Sequence, residues 1–546
     1  MLTAKDQRNE TVTGALERDQ PSRTGELLVA ETGQRVPLAD LLRISRTAAA
    51  QLRADGVRPG DPVGLVAENG LVFLHSFLAI LHAGAVAVPL ATPSAMGGVH
   101  GYVEHLRRVL EDSAMRHLVV SATCLRVLRS RTAQLPPVQL IEGDTLSTTG
   151  PELTEPAGAD ALAVIQYTSG STRLPKGVML THRNVVAGIQ AIIDGCALTR
   201  TDVAGLWIPL FHDMGLFSTL AALAQGLRVV LWRPSTFVRH PAAWLEQFVA
   251  HGCTVTTAPN FFYDHLLDDV DRVRADLDLS GWRLGLNGAE PVRAGTIDRF
   301  RAAFAHRGLP PDMMVPVYGM AEATLAVTFS RLGTRPTILW VDRAQLRDSG
   351  QVVTAQPGAP GARSLVAVGR AVDGVRVRIG GAGGAENQLG EVEITGTPVT
   401  GGYFRQPPGD LFTDDGWLRT GDQGFVHGGE LYIAGRSRNM VVIRGHNYFA
   451  EDAEAIIQDL PGVHRRRCAA VRHDDEHGER LVMVVETGLE SSDDRRTLTD
   501  RIRSAISTGL GLADVAVELI PPQALPRTSS GKVRRAEVRT SAPSMP

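Results

Sequence analysis

The residues best suited to chemistry form one dense segment, Tyr167-Thr-Ser-Gly-Ser-Thr-Arg-Leu-Pro-Lys-Gly177, which follows the apolar run ALAVIQ. Glycines and small hydroxyl residues let backbone N–H groups approach a polyphosphate closely, and Lys176 would add a point charge. Only three of the 56 basic residues are lysines, so a lysine inside this segment stands out. The segment is not a Walker A loop, because Pro175 stands where the second glycine should be. We interpret it as a phosphate-binding loop rather than a surface turn.

Two further segments could contact a nucleotide. In Tyr318-Gly-Met-Ala-Glu322 the aromatic ring could stack on a purine, and the carboxylate could hold Mg²⁺ on phosphate oxygens. A helix N-terminus with an acidic first turn would explain this pentapeptide equally well. The turn Asn287-Gly-Ala-Glu-Pro291 follows the strand-like RLGL and could line a base pocket. Each signal is weak when it is taken alone.

Two segments nearer the C-terminus complete the candidates. Arg419-Thr-Gly-Asp422 supplies a carboxylate that could accept hydrogen bonds from both ribose hydroxyls, and Arg436 could reinforce it. The alternative is a hairpin with a surface ion pair, which contributes little stability. Leu525-Pro-Arg-Thr-Ser-Ser-Gly-Lys532 carries a lysine on a Gly/Ser loop that could be delivered to a site elsewhere. For an isolated lysine, a solvated tail would be the better interpretation.

These candidates require elements to position them, and the hydrophobic pattern predicts those elements. Residues 37–55 have helical apolar spacing and end at a GVRPGD turn, and a strand-like PVGLVAEN follows. The alternation of helix and strand continues through FLHSFLAILHAG and AVAVPL and recurs to about residue 257, which favours α/β layers with a mostly parallel sheet. Residues 335–365 are predicted to be irregular. Short strands with glycine turns then indicate a small β-rich unit over about 366–437, with a domain boundary near Arg438.

Composition excludes several classes of protein. The chain has 546 residues, 43% hydrophobic and 21% charged, which suggests about three or four domain-sized units and no disordered or coiled-coil character. The net charge of −3 gives no global positive field for nucleic acid. Four widely spaced cysteines form no CxxC pair, so we expect no disulfide framework or zinc site, and a cytoplasmic location. The apolar stretch from Leu71 to Leu90 contains two histidines and a serine, which favours a buried helix and strand over a membrane span.

The order and co-occurrence of these motifs resemble the adenylate-forming superfamily over about residues 25–535. Within it, the chain looks most like the fatty acyl-AMP ligases. Arg173 stands where acyl-CoA synthetases usually carry glycine, and 335–365 lies where the family carries an insertion. The segments Trp207-Ile-Pro-Leu-Phe-His-Asp-Met-Gly-Leu216, Asn287-Gly-Ala-Glu-Pro-Val292 and Arg444-Gly-His-Asn-Tyr-Phe449 also match the family pattern.

The resemblance implies a large N-terminal domain over 1–437, made of two α/β subdomains and a small β-barrel, and a mobile α+β C-terminal domain over 438–546 with its hinge at Arg438. It implies that a fatty acid and ATP, with Mg²⁺, give acyl-AMP and pyrophosphate. The acyl group would then pass to the phosphopantetheine thiol of an acyl carrier protein in lipid, polyketide or lipopeptide biosynthesis. The insertion would restrain the C-terminal domain and disfavour CoA as the acceptor.

The resemblance also assigns roles to individual residues. The nucleotide-binding residues would be Thr168, Ser169, Gly170, Ser171, Thr172, Lys176, Gly288, Ala289, Glu290, Tyr318, Gly319, Met320, Asp422 and Arg436. Glu322 would hold Mg²⁺, Lys532 would stabilise charge in the adenylation step, and His212 would lie between the acyl and nucleotide sites. Asp213 could orient His212 or cap a helix.

Some positions depart from the superfamily pattern. Ala321 replaces a usual threonine, Asn439 follows Arg438 where an acidic residue is common, and Phe449-Ala450 stands where Tyr-Pro is expected. Three alternatives therefore stay open. The first is an acyl-CoA ligase. The second is an amino- or aryl-acid adenylation enzyme, for which Asp213 is the only candidate ammonium partner in its motif. The third is a catalytically silent nucleotide-binding or scaffolding protein.

Overall fold

The computed structural model of the protein describes residues 10–18, 25–96, 99–155, 157–168, 175–381, 383, 385–443, 446–475, 478–513, 515–527 and 533–538. The chain divides into two compact units, each made of several stretches of sequence. The first unit comprises Met1–Pro336, Gly369–Arg376 and Ile394–Leu418. The second comprises Thr337–Val368, Val377–Glu393 and Arg419–Pro546.

The first unit alternates helices with strands, as the hydrophobic pattern predicts. Its helices are α1 (Val12–Glu17), α2 (Leu38–Ala54), α3 (Leu71–His82), α4 (Val99–Ser113), α5 (Ala122–Leu128), α6 (His182–Gly195), α7 (Asp213–Ala224), α8 (Pro234–Arg239), α9 (Pro241–Ala250), α10 (Asn260–Asp268) and α11 (Ala294–Phe304). Its strands are β1 (Glu26–Val29), β2 (Gln34–Pro37), β3 (Pro62–Val66), β4 (Val86–Pro89), β5 (His117–Val120), β6 (Gln139–Glu142), β7 (Leu162–Thr168), β8 (Lys176–Thr181), β9 (Val203–Leu206), β10 (Arg228–Leu231), β11 (Val255–Ala258), β12 (Leu284–Asn287), β13 (Met314–Met320) and β14 (Leu325–Phe329).

Two sheets organise this unit, and both are mostly parallel. In one the strand order is β14-β13-β12-β11-β9-β10-β1-β2, and in the other it is β6-β5-β3-β4-β7-β8. The pairs β13–β14, β1–β2 and β7–β8 are antiparallel, and the other neighbouring pairs are parallel. The predicted α/β class with a mostly parallel sheet is confirmed.

Local sequence explains the key elements. Helix α3 is apolar on every face, and all ten residues from Phe73 to His82 are buried, so it lies inside the protein. The stretch from Leu71 to Leu90 is therefore a buried helix followed by β4, as predicted. Helix α6 begins with a capping box in which Thr181 and Asn184 satisfy each other's backbone N–H groups. In the described part of the chain, no helix has the length and apolarity to cross a membrane.

The second unit contains the helices α12 (Arg343–Ser349), α13 (Ala450–Ile457) and α14 (Ser492–Leu510). Its strands include β15 (Ile338–Asp342), β20 (Glu430–Arg436), β21 (Met440–Ile443), β22 (His446–Phe449), β23 (Cys468–Asp475), β24 (Gly478–Glu486) and β25 (Ala516–Ile520). Four strands run across the division between the units: β16 (Ala362–Ala371), β17 (Val375–Ile379), β18 (Gly390–Gly396) and β19 (Leu418–His427).

Strands of the second unit belong to three sheets. Strands β17, β18, β19, β20 and β16 lie side by side in that order, with β15 paired to β16. Strands β21 and β22 form a hairpin, and β23, β24 and β25 form a separate sheet. One apolar cluster joins α13 and α14 to this separate sheet and includes Ala453, Leu481 and Ile502.

The prediction of irregular structure over 335–365 is wrong. Residues 338–342 form β15, and α12 follows directly with Asp342 capping it by accepting from the Gln345 N–H. The run ILWVD has the composition of a strand, and Asp342 is a favourable N-cap for the helix that follows. The glycines and prolines around these elements led to the prediction of irregular structure. The predicted domain boundary at Arg438 stays a prediction. Arg438 lies in a 3₁₀ turn, Ser437–Asn439, inside the second unit.

Candidate active site

Four parallel neighbouring strands bring the candidate residues of three motif segments to one edge of a sheet. Strands β13, β12, β11 and β9 are adjacent and parallel, so their carboxyl ends meet at the same edge. The segments that follow the ends of β9, β11 and β12 begin at Trp207, Pro259 and Gly288. Tyr318 lies near the end of β13, whose last residue is Met320. The carboxyl edge of a parallel sheet is the usual location of a ligand site in α/β folds.

The turn after β12 carries three of the predicted nucleotide-binding residues. Ala289 has φ +63°, a left-handed conformation that costs energy for a residue with a side chain. The Glu290 carboxylate accepts a hydrogen bond from the Phe261 N–H at 3.0 Å. The Asn260 side-chain carbonyl accepts from the Arg293 N–H at 3.1 Å, which ties the far end of the turn to α10. The strained turn is thus held from both sides.

The Tyr318–Glu322 segment is a strand end followed by one 3₁₀ turn, not the start of an α-helix. The register of β13 against β14 shifts between Tyr318 and Gly319. A Cβ atom on Gly319 would lie 1.8 Å from the Leu325 carbonyl oxygen, so only glycine fits there. The turn Ala321–Ala323 then buries Glu322, which is 8% exposed.

The predicted phosphate loop leaves β7 and enters β8. Thr168 and Lys176 are direct cross-strand partners in this antiparallel pair, so the loop begins and ends at one place. Ser169, Gly170, Ser171 and Thr172 lie outside the described residues. The Lys176 ammonium lies over the ring of Tyr403, 4.9 Å from its centre. The Tyr403 hydroxyl in turn donates to a Glu322 carboxylate oxygen at 2.8 Å.

His212 precedes α7, and Asp213 is the first residue of that helix. Asp213 makes both contacts that the sequence left open, one with His212 and one with a free N–H at the start of α7. The Asp213 carboxylate lies 2.6 Å from His212 Nδ1 and also accepts from the Met214 N–H at 2.7 Å. Because that N–H is 3.4 Å from Nδ1, it is satisfied mainly by Asp213. The geometry therefore favours a proton on Nδ1 that is donated to Asp213, which leaves Nε2 for other partners.

Two buried amides that sequence reasoning missed hold the segment before His212. Asn69 donates to the carbonyls of Ile208 and Trp232 and accepts from the Leu210 N–H, each at 2.9 Å. Gln166, the residue before the phosphate-loop motif, donates to the Phe211 carbonyl at 2.7 Å. Asn69 lies in the segment that follows β3 and Gln166 lies inside β7, so one sheet of the first unit fixes a loop that follows a strand of the other. The only local signal was a polar amide as the last residue of each strand-like run, PVGLVAEN and ALAVIQ.

Aromatic rings pack behind the same loop. The Trp207 ring stacks on Phe262 with centres 5.6 Å apart and lies 4.4 Å from Phe237. All three side chains are buried. This cluster forms a rigid apolar wall behind the Trp207–Leu216 segment.

The surroundings of Glu322 fit a magnesium ion held with a nucleotide. No group of three or more potential metal-binding side chains occurs within the described ranges. Mg²⁺ is usually held by only one or two carboxylates together with substrate phosphates and water, so a single buried carboxylate suits it.

The remaining candidates belong to the second unit. Asp422 and Arg436 are cross-strand partners on β19 and β20, and the guanidinium lies 2.9 Å from the carboxylate. The Asp422 side chain is 4% exposed and that of Arg436 is 45% exposed, so the carboxylate is buried whereas the guanidinium reaches the surface. Next to the predicted hinge, the Asn439 amide donates to Glu451 on α13 at 2.7 Å. Lys532 lies outside the described residues.

Comparison with known proteins places this architecture in a family. The profile of the family described as AMP-binding enzyme matches residues 17–404. Long-chain-fatty-acid–AMP ligase FadD32 of Mycolicibacterium smegmatis is 33% identical, over 91% of this chain and 87% of that protein. The corresponding ligase FadD26 of Mycobacterium marinum is 34% identical, over 89% of this chain and 88% of its own length.

Solved structures agree with the sequence comparison. A structure from a study of fatty acyl-adenylate ligases from E. coli and L. pneumophila superposes with a TM-score of 0.88 and 30% identity, covering 96% of each chain. The chain therefore belongs to the adenylate-forming family of AMP-binding enzymes and, within it, to the fatty acyl-AMP ligases.

Proposed function

We propose that the protein uses ATP to convert a fatty acid to acyl-AMP and pyrophosphate, and then transfers the acyl group to the phosphopantetheine thiol of an acyl carrier protein. The observation that carries this proposal is the carboxyl edge of the β13-β12-β11-β9 sheet, where the segments of His212, Gly288–Glu290 and Tyr318–Glu322 converge. The ligases named among the relatives act on long-chain fatty acids. The wall of Trp207, Phe237 and Phe262 is the kind of surface an acyl chain requires.

The residues of the first unit divide the adenylation work. Lys176 brings positive charge to the phosphates, and the Gly/Ser/Thr composition of the segment after Thr168 would allow backbone N–H and hydroxyl groups to donate as well. The turn at Gly288, Ala289 and Glu290 lines the adenine pocket together with Tyr318. Gly319 and Met320 continue that wall. His212, with its ring orientation fixed by Asp213, lies where the acyl carboxylate meets the nucleotide.

Glu322 would hold Mg²⁺, which when bound offsets phosphate charge and polarises the bond to be broken. Asp422 would accept hydrogen bonds from the ribose hydroxyls, with Arg436 fixing its carboxylate. Lys532 would stabilise negative charge between the attacking carboxylate and the α-phosphate, and Arg438 would be the hinge. Loss of one such preorganised contact typically slows a reaction about 10²–10³-fold.

Contacts within the second unit support the carrier protein as acceptor rather than CoA. The Arg363 guanidinium lies 2.7 Å from the Asp452 carboxylate on α13, and Arg343 on α12 lies 3.9 Å from the same group. Burial and then the neighbouring Arg363 lower the pKa of Arg343, although Asp452 opposes both effects. The segment that the resemblance identifies as the family insertion is thus joined to the C-terminal part of the chain by buried charges.

A second, more exposed set of contacts reinforces this attachment. The Arg347 guanidinium lies over the Tyr448 ring, 5.2 Å from its centre. Asp348 lies 2.9 Å from the imidazole of His446, and Arg347 and then His446 lower the pKa of Asp348 to about 2. We infer that the attachment limits the movement that acyl transfer to CoA would need.

The four cysteines are free and buried, in keeping with the predicted cytoplasmic location.

The test of the reaction is a mass-spectrometric product assay with ATP, Mg²⁺, a ladder of carboxylic acids, and either CoA or a phosphopantetheinylated carrier protein. We expect acyl-AMP from fatty acids and loading of the carrier protein, with little acyl-CoA. Abundant acyl-CoA in the unmodified protein would refute the acceptor assignment. Adenylates of amino acids alone, or none at all, would refute the substrate or the activity.

The acceptor preference has its own variants. Arg347→Ala and Asp348→Ala remove the exposed contacts and leave the buried pair of Arg363 and Asp452 intact. Together they should increase acyl-CoA formation and leave acyl-AMP formation unchanged. The matched control is Arg496→Ala with Asp493→Ala, an exposed pair on α14 that should change neither product. Equal acyl-CoA formation by both double variants would argue against a restraining role.

A further inference from the structure

Tyr403 contacts both Lys176 and Glu322, the predicted phosphate and metal residues. We propose that Tyr403 is a positioning residue that fixes the ammonium and the carboxylate relative to each other for a metal–nucleotide substrate. The inference rests on the proposed function, since it concerns how this chain's residues are arranged to bind ATP with its metal. Tyr403 follows a Gly-Gly pair outside the motifs considered in the sequence.

The backbone around Tyr403 is held against the phosphate-loop strand. The Phe404 N–H donates to the Gly177 carbonyl at 2.7 Å, and the Met179 N–H donates to the Gly402 carbonyl at 3.1 Å. Gly402 has φ +138°, a conformation that favours glycine. These bonds extend the β7–β8 hairpin by one bridge, between Val178 and Tyr403. The ring of Tyr403 is therefore fixed relative to Lys176.

The same segment is also held against the turn that carries Glu322. The Thr400 N–H donates to the Glu322 carbonyl at 2.7 Å, and the Thr324 hydroxyl donates to the Pro398 carbonyl at 2.8 Å. Asn184 of α6 donates to the carbonyls of residues 397 and 399. Residues 397–404 thus join three elements, and Tyr403 projects from the place where they meet.

Tyrosine is suited to this position because its two ends do different things. The ring face attracts the Lys176 ammonium, and the hydroxyl donates to one oxygen of the Glu322 carboxylate. Phenylalanine would keep the first contact and lose the second, and leucine would lose both. A phenol contacts both charges without adding a charge of its own, so it orients them without neutralising either.

The experiment separates the two contacts by binding, with fatty acid omitted so that no reaction occurs. Electron paramagnetic resonance would follow a fixed concentration of the Mn²⁺–ATP complex as the full chain is added, because ATP alone already chelates Mn²⁺, and calorimetry would report ATP binding without metal. For Tyr403→Phe we expect the affinity for Mn²⁺–ATP to fall about 10–100-fold, the range seen when a group orienting a metal ligand is removed. Metal-free ATP affinity should stay unchanged. Tyr403→Leu should lose the same affinity for Mn²⁺–ATP and also bind metal-free ATP about two- to fivefold more weakly.

The matched control is Tyr432→Phe, a tyrosine of the second unit, which should behave like the unmodified protein. Unchanged affinity for Mn²⁺–ATP in Tyr403→Phe would overturn the proposal. Weaker metal-free ATP binding in that variant would also overturn it, since the ring contact is retained. Failure of the unmodified protein to bind ATP at all would instead count against the proposed function. Acyl-AMP formation at saturating Mg²⁺ should recover in Tyr403→Phe, whereas a collapsed site would not recover.

Discussion

The Asn69 amide offers the sharpest test of how the active-site loop is held. Replacing Asn69 by alanine leaves the Ile208 and Trp232 carbonyls and the Leu210 N–H without their partner, at a position that is 6% exposed. An unsatisfied buried group costs about 1–3 kcal/mol, and the space left by the amide admits water, so the low end applies. Three groups then cost about 3 kcal/mol.

Thermal unfolding of the full chain should show this loss. A cost of about 3 kcal/mol corresponds to a decrease of roughly 5 °C in the Tm of a unit this large. The isosteric Asn69→Asp keeps the acceptor for Leu210, but it places negative charge against two carbonyls, so at pH 7 it should be at least as unstable as Asn69→Ala. Both variants should raise the KM for the fatty acid more than the KM for ATP, because the loop leading to His212 is the part released.

The control for this prediction is Asn447→Ala, which truncates an exposed asparagine on β22 and should change the Tm by less than about 1 °C. If Asn69→Ala behaves like this control, the reasoning is wrong, because the three hydrogen bonds would then contribute nothing to stability. A stable variant with a raised KM for the fatty acid would refute the energetic estimate but keep the positioning role.

Three further predictions concern single residues. Gly319→Ala should abolish acyl-AMP formation and lower the Tm, because the added Cβ would overlap the Leu325 carbonyl oxygen. A fully active variant would show that the backbone of β13 and β14 does not approach this closely at the β-bulge. Burial lowers the pKa of His182 to about 4, and its Nδ1 accepts from the Val12 N–H, so the neutral ring is the folded form. Because the unfolded chain takes up a proton at higher pH than the folded chain, the free energy of unfolding should fall by about 2 kcal/mol from pH 7 to pH 5. Urea titrations at the two pH values would measure this difference, and His182→Asn should reduce it. Gln166→Leu removes the hydrogen bond to the Phe211 carbonyl and should lower kcat for acyl-AMP formation about tenfold. Gln166→Glu should lower kcat as well, because a carboxylate cannot donate to that carbonyl.

The sequence predicted the layers and the convergence of motifs because both follow from local patterns. Apolar strands with polar residues directly after them are visible in the chain, and parallel strands bring those residues to one edge. The roles of the individual residues at that edge stay predictions. The local pattern also contained the strand and helix over 338–349, but the Gly/Pro residues around them led to the wrong interpretation.

The rest of the site depends on contacts between distant parts of the chain. Tyr403 contacts Glu322 across 81 residues, and Asn69 reaches Trp232 across 163. No spacing rule connects such pairs in a single sequence, since the chain must fold before they meet. Asp213 illustrates the same limit, because two roles fitted the sequence and the structure contains both contacts.

The interleaved second unit has a consequence for how the chain is made. Arg343 and Arg363 emerge from the ribosome well before Asp452, the carboxylate that lies between them. At roughly 5–20 residues per second, the delay lasts about 5–20 seconds. During that time the two arginines must stay hydrated, since burying them without the carboxylate is costly. Synthesis that stalls near residue 438 would leave this part of the protein unable to close, and such nascent chains would be the natural substrates of proteases and chaperones.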